Sequence, residues 1–279
     1  MNSSIFKKIK KFFITPAFAG ELHESLKKDK APDIEKLLKT DKAQINQIDE
    51  DGWSPLHLAV VFGKEKAVSE LITNGAMINI KSNDGLTPLH WACSNNELEI
   101  AKTLILAGAD INLQDNDGEA PLHKACEAEN ENNNIELINL LIDSKANVNI
   151  KDNFDETPLH YAIKWNGNEI AKLLIKSGAN CEIADKYGNT PLHLALKNNS
   201  TELLETLISS GANVNVKDSH GWTPLHEAVS QGDLDMAEFL ISKGAKVNMT
   251  DKTGATALKI AVDDENDEMI DLLVTYGAK

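Results

Sequence analysis

The sequence predicts an all-α solenoid, in which short helix-turn-helix units stack side by side. Two observations predict this fold class. A Thr-Pro-Leu-His tetrapeptide, or a one-letter variant of it, recurs six times, with its prolines spaced 33, 33, 37, 33 and 33 residues apart: Pro55, Pro88, Pro121, Pro158, Pro191 and Pro224. An eroded seventh copy, Thr256 to Lys259, follows after a further 33 residues. A unit of this length buries its apolar face only against its neighbours, so the repeats must stack.

Each element of the unit has a physical reason. The threonine is suited to the N-cap of a first helix, where its side-chain oxygen accepts from an unpaired backbone N–H. The proline fits the first helical turn, where its missing N–H costs nothing. Leucine and isoleucine pairs such as Leu240-Ile241 then predict a second helix that packs between repeats. A Gly-Ala pair ends that helix, with glycine in the left-handed position, and Asp-x-x-Gly forms a tight turn between units.

The complete unit runs from Asp218 through Gly221, Thr223 to His226 and Gly244-Ala245 to Asn248. It resembles the ankyrin repeat, in register from Gly20 to Lys279. We expect eight repeats, with the first and the last as degenerate caps, at approximately 20–48, 49–81, 82–114, 115–151, 152–184, 185–217, 218–250 and 251–279. The resemblance implies short β-hairpin-like turns and a concave surface that binds other proteins.

Composition restricts the class of partner. The 279 residues carry a formal net charge of −15, and all 28 basic residues are lysines. An acidic chain without arginine is poorly suited to phosphate recognition, so we expect no nucleic-acid partner. A basic protein partner fits the charge better. We expect a monomer.

No pattern typical of a catalytic or phosphate-binding site is present. Most histidines repeat at the motif position, about one repeat apart, so they cannot converge on one metal ion. The resemblance implies that each of these histidines bonds the motif threonine and a neighbouring loop. Cys93 and Cys126 occupy equivalent positions and are interpreted as small core residues. We therefore expect no catalytic residue, no metal and no cofactor.

Aromatic side chains fall where the framework does not need them. The positions are the turn tip, the residue after the turn glycine, the residue after the motif histidine and the end of the first helix. In the ankyrin family these positions face the partner, and large aromatic residues there are typical of binding hot spots. The predicted partner-binding residues, which include one histidine at a turn tip, are Trp53, Phe62, Trp91, Phe154, Tyr161, Trp165, Tyr187, His220 and Trp222.

Two repeats depart from the pattern. In the fifth, Asp155 replaces the turn glycine, and since a left-handed conformation is unfavourable for most residues, we expect this turn to differ in shape. In the fourth, the 37-residue spacing indicates a four-residue insertion within 127–134. We expect it in a solvated loop between the two helices. A calcium site there is the alternative, although the segment lacks an EF-hand pattern.

Residues 1–19 precede the repeats and have three interpretations. Four lysines before a short apolar stretch and Ala17-Phe18-Ala19 resemble a secretory signal cleaved after Ala19. The same segment could form a basic amphipathic helix on an anionic membrane surface, or a disordered tail. We expect a cytoplasmic protein with a non-catalytic interaction function. The alternative is an exported or membrane-peripheral protein, with membrane contact only through residues 1–19.

Overall fold

A computed structural model describes residues 20–27, 34–40, 42–127, 131–198 and 200–279. The three interpretations of residues 1–19, and residues 128–130 of the insertion, therefore lie outside the described residues. Within the described ranges, no helix is both long enough and apolar enough to cross a membrane. The helices group into two compact units, Met1–Asn147 and Val148–Lys279.

The described part of each unit is helical. The first unit contains α1 Glu21–Leu26, α2 Ile34–Thr40, a 3-10 helix Lys42–Asn46, α3 Pro55–Val61, α4 Glu65–Thr73, α5 Pro88–Ser94, α6 Leu98–Leu106, α7 Pro121–Cys126 and α8 Glu131–Asp143. The second contains α9 Pro158–Lys164, α10 Asn168–Lys176, α11 Pro191–Lys197, α12 Thr201–Ser209, α13 Pro224–Ser230, α14 Leu234–Ser242, α15 Ala257–Asp263 and α16 Asp267–Thr275. No described residue belongs to a strand; Thr250 and Thr256 form one isolated bridge.

The first helices of the second, third and seventh repeats begin as the motif predicts. At α5, the Thr87 hydroxyl accepts from the backbone N–H of His90 at 3.4 Å, and Pro88 occupies the first turn. The side chain of His90 returns the contact, since its Nδ1 accepts from the backbone N–H of Thr87 at 3.1 Å. The Thr-Pro-Leu-His motif is therefore a reciprocal cap that fixes both the start of the helix and the histidine ring.

Both helices of a repeat pack against neighbouring repeats, and the second helix adds buried leucines to the core. One leucine in each apolar pair is fully buried: Leu104, Leu141, Leu174, Leu207, Leu240 and Leu273. Burying each such side chain stabilises the stack by roughly 1.5–3 kcal/mol. Glycine ends these helices in the left-handed conformation, as at Gly108 with φ 96°. In the fourth repeat Lys145 takes this place with φ 76°.

Asparagine side chains bond each repeat to the next. The Oδ1 of Asn79 accepts from the backbone N–H of Asp110 at 2.9 Å, and its Nδ2 donates to the carbonyl of Gly108 at 3.4 Å. The same pair of bonds is made by Asn46, Asn112, Asn149, Asn215 and Asn248. Glu182 replaces asparagine in the fifth repeat, where its Oε1 accepts from Asn213 at 2.7 Å. A carboxylate has no N–H to donate, so this repeat cannot form the second bond.

Residues 131–134 of the expected insertion segment belong to helix α8, which corrects the expectation of a loop for that part of the segment. Helix α8 has 13 residues, whereas α6 and α10 have nine each. The difference of four residues equals the insertion. In α8, the Nδ2 of Asn134 donates to the carbonyl of Ala125 at 2.8 Å, and Asn134 is only 3% exposed. In the third repeat, the backbone N–H of Glu97 makes the equivalent bond to Ala92. A side-chain amide thus replaces a backbone donor.

Candidate partner-binding surface

Three turns between repeats are built on a buried carboxylate, from Asp115, Asp152 or Asp185. In the sixth repeat, the Oδ1 of Asp185 accepts from the backbone N–H groups of Tyr187 and Asn189, each at 2.8 Å. Asp185 is 7% exposed, while Tyr187, at the tip of the turn, is 60% exposed. The carboxylate therefore holds the turn backbone in place and leaves the tip residue outside the core.

Asp155 keeps the same turn, so the expectation of a different shape is wrong. Its φ is 60°, within the left-handed region occupied by the turn glycines. Its N–H donates to the carbonyl of Asp152 at 3.1 Å, as the N–H of Gly118 does to Asp115. Aspartate tolerates this conformation better than most residues, and its carboxylate pairs with Lys151 at 3.0 Å.

Backbone hydrogen bonds join the tips of adjacent repeats into rows. In the second unit, the N–H of Lys186 donates to the carbonyl of Phe154 at 2.8 Å, and the N–H of Ser219 donates to Tyr187 at 3.0 Å. A third bond runs from Lys252 to His220 at 3.0 Å. The second unit therefore has the tip row Phe154, Tyr187 and His220. The equivalent row in the first unit is acidic and exposed: Asp51, Asp84 and Asp117.

In the first unit, two predicted partner-binding residues form a pair. The rings of Trp53 and Trp91 lie 4.9 Å apart between centroids, tilted by 52°, and both side chains are partly buried. The indole Nε1 of Trp91 is buried and has no hydrogen-bond partner among the described residues. Phe62 is also partly buried, with the ammonium of Lys64 6.0 Å from its ring centroid. These rings pack against the repeats and expose part of their surface.

In the second unit, three predicted residues are far more exposed. Phe154, Trp165 and Tyr187 are 49%, 50% and 60% exposed. Phe154 and Tyr187 occupy neighbouring tips, and Trp165 caps the end of α9. The ammonium of Lys186 lies 5.8 Å from the ring centroid of Phe154, within the range of a cation–π interaction.

The remaining three predicted residues differ in accessibility. Tyr161 is only 8% exposed, and its hydroxyl donates to Oδ2 of Asp152 at 2.9 Å. It therefore supports the turn of the fifth repeat and offers little surface. Trp222 is partly buried, with its ring centroid 6.3 Å from that of His226. The His220 side chain is 81% exposed, and its Nδ1 lies 3.5 Å from Oδ2 of Asp218.

The motif histidines are structural, as the resemblance implied. Because Nδ1 of His90 accepts from Thr87, a neutral ring carries its proton on Nε2, which donates to the carbonyl of Glu119 in the next repeat at 3.0 Å. Burial lowers the pKa of His57, His90 and His160 to about 4. These rings are therefore neutral at pH 7. Among the described residues, no group of three or more His, Cys, Asp or Glu could hold a metal ion.

The three cysteines are buried. Cys93, Cys126 and Cys181 are free thiols. Burial raises the pKa of each thiol, so little thiolate is available for chemistry. This agrees with the interpretation of Cys93 and Cys126 as small core residues.

Partly buried ion pairs beside the turns were not anticipated from the sequence. Lys124 follows the motif histidine of the fourth repeat and pairs with Glu119 and, at 3.4 Å, with Asp115. In the fifth repeat, Lys164 pairs with Glu156, which is 6% exposed. Both glutamates directly precede the N-cap residue of a first helix. The sequence signal that could have revealed these pairs is position: the lysines and glutamates lie on the repeat next to the predicted aromatic positions.

Comparisons with known proteins agree with this architecture. The family model described as ankyrin repeats (3 copies) matches residues 22–115, 98–185, 122–218 and 213–279. The chain therefore belongs to the ankyrin repeat family. No curated protein matches the sequence.

Among solved structures, 618 chains are similar. One is the ankyrin repeat domain of Bcl-3, described as a unique member of the IkappaB protein family. It is 32% identical, with a TM-score of 0.72, and the match covers 81% of this chain and 100% of that one. Ankyrin repeats are generally protein–protein interaction modules and are typically not enzymes.

Proposed function

We propose that this protein is a non-catalytic scaffold that binds a basic protein partner through the turn tips and first helices of its repeats. This surface is concave in ankyrin repeats. The observation that carries the proposal is the exposure of Phe154, Trp165 and Tyr187, each about half exposed, at positions that the repeat framework does not need. A framework requiring only small or polar residues there would not select three large aromatic side chains.

The exposed rings could contribute substantial binding energy. Each large aromatic residue buries roughly 150–250 Å² when covered, so three half-exposed rings offer about 300 Å². At about 25 cal/mol per Å², covering them yields roughly 7 kcal/mol before the entropy costs of association. The turns beneath Phe154 and Tyr187 are already fixed by Asp152 and Asp185. Little further ordering of the backbone is needed, which favours affinity.

Charge supports a basic partner. The net charge of −15 attracts cationic proteins over long distances and accelerates their association. The exposed tips Asp51, Asp84 and Asp117 form no ion pair within the described part of the first unit. Their carboxylates can therefore meet a partner's cations without first breaking an internal bond.

Affinity capture followed by mass spectrometry tests the proposal. The full-length protein is compared with a Phe154→Ser/Trp165→Ser/Tyr187→Ser variant that circular dichroism shows to be folded and light scattering shows to be monomeric. A matched control replaces exposed apolar residues outside this surface: Leu106→Ser, Val274→Ser and Tyr276→Ser, which are 89%, 54% and 45% exposed in the native chain. We expect a basic protein to be captured by the native chain and the control but lost from the first variant. Equal capture by all three proteins would refute the proposed surface.

We propose a cytoplasmic location with an uncleaved N-terminal segment. Sequencing the N-terminus of the mature protein in its native cell tests this directly. An intact Met1 or Asn2 supports an uncleaved segment and leaves the membrane-surface helix and the tail as the two interpretations of residues 1–19. A chain that starts at Gly20 would instead establish the alternative, an exported protein released after Ala19.

A further inference from the structure

The tip row of the second unit has a second property, which concerns the chemistry of the partner. Resting on the function proposed above, we propose that Phe154 and Tyr187 form paired cation sites. They would bind an extended protein segment that carries two lysine or arginine residues three positions apart, with one cation over each ring.

The first argument is the fixed position of the two rings. The backbone N–H of Phe154 donates to Oδ1 of Asp152, and that of Tyr187 donates to Oδ1 of Asp185, each at 2.8 Å. The hydrogen bond from Lys186 to the carbonyl of Phe154 joins the two turns. Packed helices lie about 8–10 Å apart, and we infer a similar spacing for the two rings.

The second argument is that one ring already holds a cation. The ammonium of Lys186 lies 5.8 Å from the centroid of Phe154, which is 49% exposed. The face of an aromatic ring attracts ammonium and guanidinium groups at this distance. Lys186 forms no ion pair with any acidic residue in the described part of this unit. A lysine or arginine from a partner could therefore replace it at the ring without breaking a salt bridge.

The third argument is the charge around the rings. Each turn encloses a carboxylate, Asp152 or Asp185, that is 7% exposed. Asp155 also lies beside Phe154, with its side chain 52% exposed. Negative charge close to an aromatic face favours a cation over an apolar side chain. Lys151, which pairs with Asp155, and Lys186 oppose this effect in the free protein.

The spacing of the rings selects the spacing of the cations. A polyproline II segment returns to the same face every three residues and rises about 3.1 Å per residue, which gives a step of roughly 9 Å. This step matches the distance between neighbouring repeats estimated from helix packing. A β-strand, by contrast, repeats a face every two residues, at roughly 6.6 Å. A cation at every third position therefore meets successive tips.

Two synthetic peptides of equal composition test the proposal. Fluorescein-labelled (Arg-Pro-Pro)4 places arginine at every third position, and (Arg-Arg-Pro-Pro-Pro-Pro)2 carries the same charge in blocks. Binding to the full-length protein is measured by fluorescence anisotropy at 150 mM salt. We expect the spaced peptide to bind at least fivefold more tightly. Equal affinities, or no binding by either peptide, would overturn the proposal. A third probe, (Leu-Pro-Pro)4, should bind more weakly; tighter binding would assign the row to an apolar partner instead.

Variants then test the rings themselves. Phe154→Leu and Tyr187→Leu retain apolar surface but remove the aromatic face, and each should weaken the spaced peptide by about 3- to 10-fold. The matched control is Phe239→Leu, because Phe239 lies on helix α14 in the same unit and has Lys243 5.2 Å from its ring centroid. It should leave binding unchanged. Lys186→Ala removes the competing ammonium, and binding should not weaken. Ring variants that bind like the native chain would refute the cation sites.

The outcomes separate this inference from the proposed function. Suppose that the triple serine variant loses its captured partner but peptide affinity does not depend on arginine spacing or on the rings. The scaffold function is then supported and the paired cation sites are refuted. If the triple serine variant also captures the partner as the native chain does, both the proposed binding surface and the paired cation sites are refuted.

Discussion

Mild acid should destabilise the repeats through the motif histidines. Burial lowers the pKa of His57, His90 and His160 from 6.5 to about 4. In the unfolded chain these rings take up protons below pH 6.5, whereas in the folded chain they remain neutral until about pH 4. The free energy of unfolding therefore keeps its full value above pH 6.5 and decreases as the pH falls towards 4. At pH 5 the loss is about 2 kcal/mol for each ring, or roughly 6 kcal/mol for three.

Urea unfolding at pH 7, 6 and 5 measures this effect, with circular dichroism at constant ionic strength. Protonating exposed carboxylates in a chain of net charge −15 reduces repulsion and would raise stability, so that effect opposes the histidine effect. Because long repeat arrays can depart from two-state unfolding, the urea midpoint is compared as well as the free energy. Unfolding free energies that differ by less than about 1 kcal/mol between pH 7 and pH 5 would refute the reasoning.

Three further predictions concern stability and reactivity. Asn134→Leu should cost about 1–3 kcal/mol in urea unfolding, because a buried carbonyl loses its donor; a cost below 0.5 kcal/mol would show that another donor replaces the amide. Gly85→Ala should cost more than Gly108→Ala, since both glycines have positive φ but only at Gly85 would the new Cβ lie 2.7 Å from the backbone nitrogen of Asn116; equal melting temperatures would contradict this. The three buried thiols should react with Ellman's reagent only after unfolding, so rapid labelling of the native protein would show that they are accessible.

The sequence predicts the repeat framework because its determinants are local. The cap formed by Thr87, Pro88 and His90 depends on four consecutive residues, and the left-handed glycines mark where the second helices end. The conformation of Asp155 was not predicted. Its turn is held by hydrogen bonds at both ends, and those bonds outweigh the conformational preference of one residue.

The accessibility of the aromatic residues could not be predicted from their position in the repeat. Tyr161 and Trp91 occupy equivalent positions, yet Tyr161 is buried by its bond to Asp152 while Trp91 packs against Trp53. These differences depend on residues in another turn or another repeat, which the period does not specify. The insertion is similar: its place followed from the spacing, but neither the helix over 131–134 nor the bond from Asn134 to Ala125 could be predicted from it.

The asparagine bonds between repeats restrict how many residues the chain can gain or lose at once. Most reach 29 residues ahead through Nδ2 and 31 through Oδ1; at Asn112, across the insertion, they reach 33 and 35. Duplicating or deleting 33 residues within a unit returns every asparagine to an equivalent partner. Length added between an asparagine and its two partners shifts both partners together, as at Asn112, and is accepted where the end of the second helix keeps its place. Evolution of this chain by recombination should therefore proceed in whole repeats, with smaller insertions accepted at the site where the fourth repeat carries one.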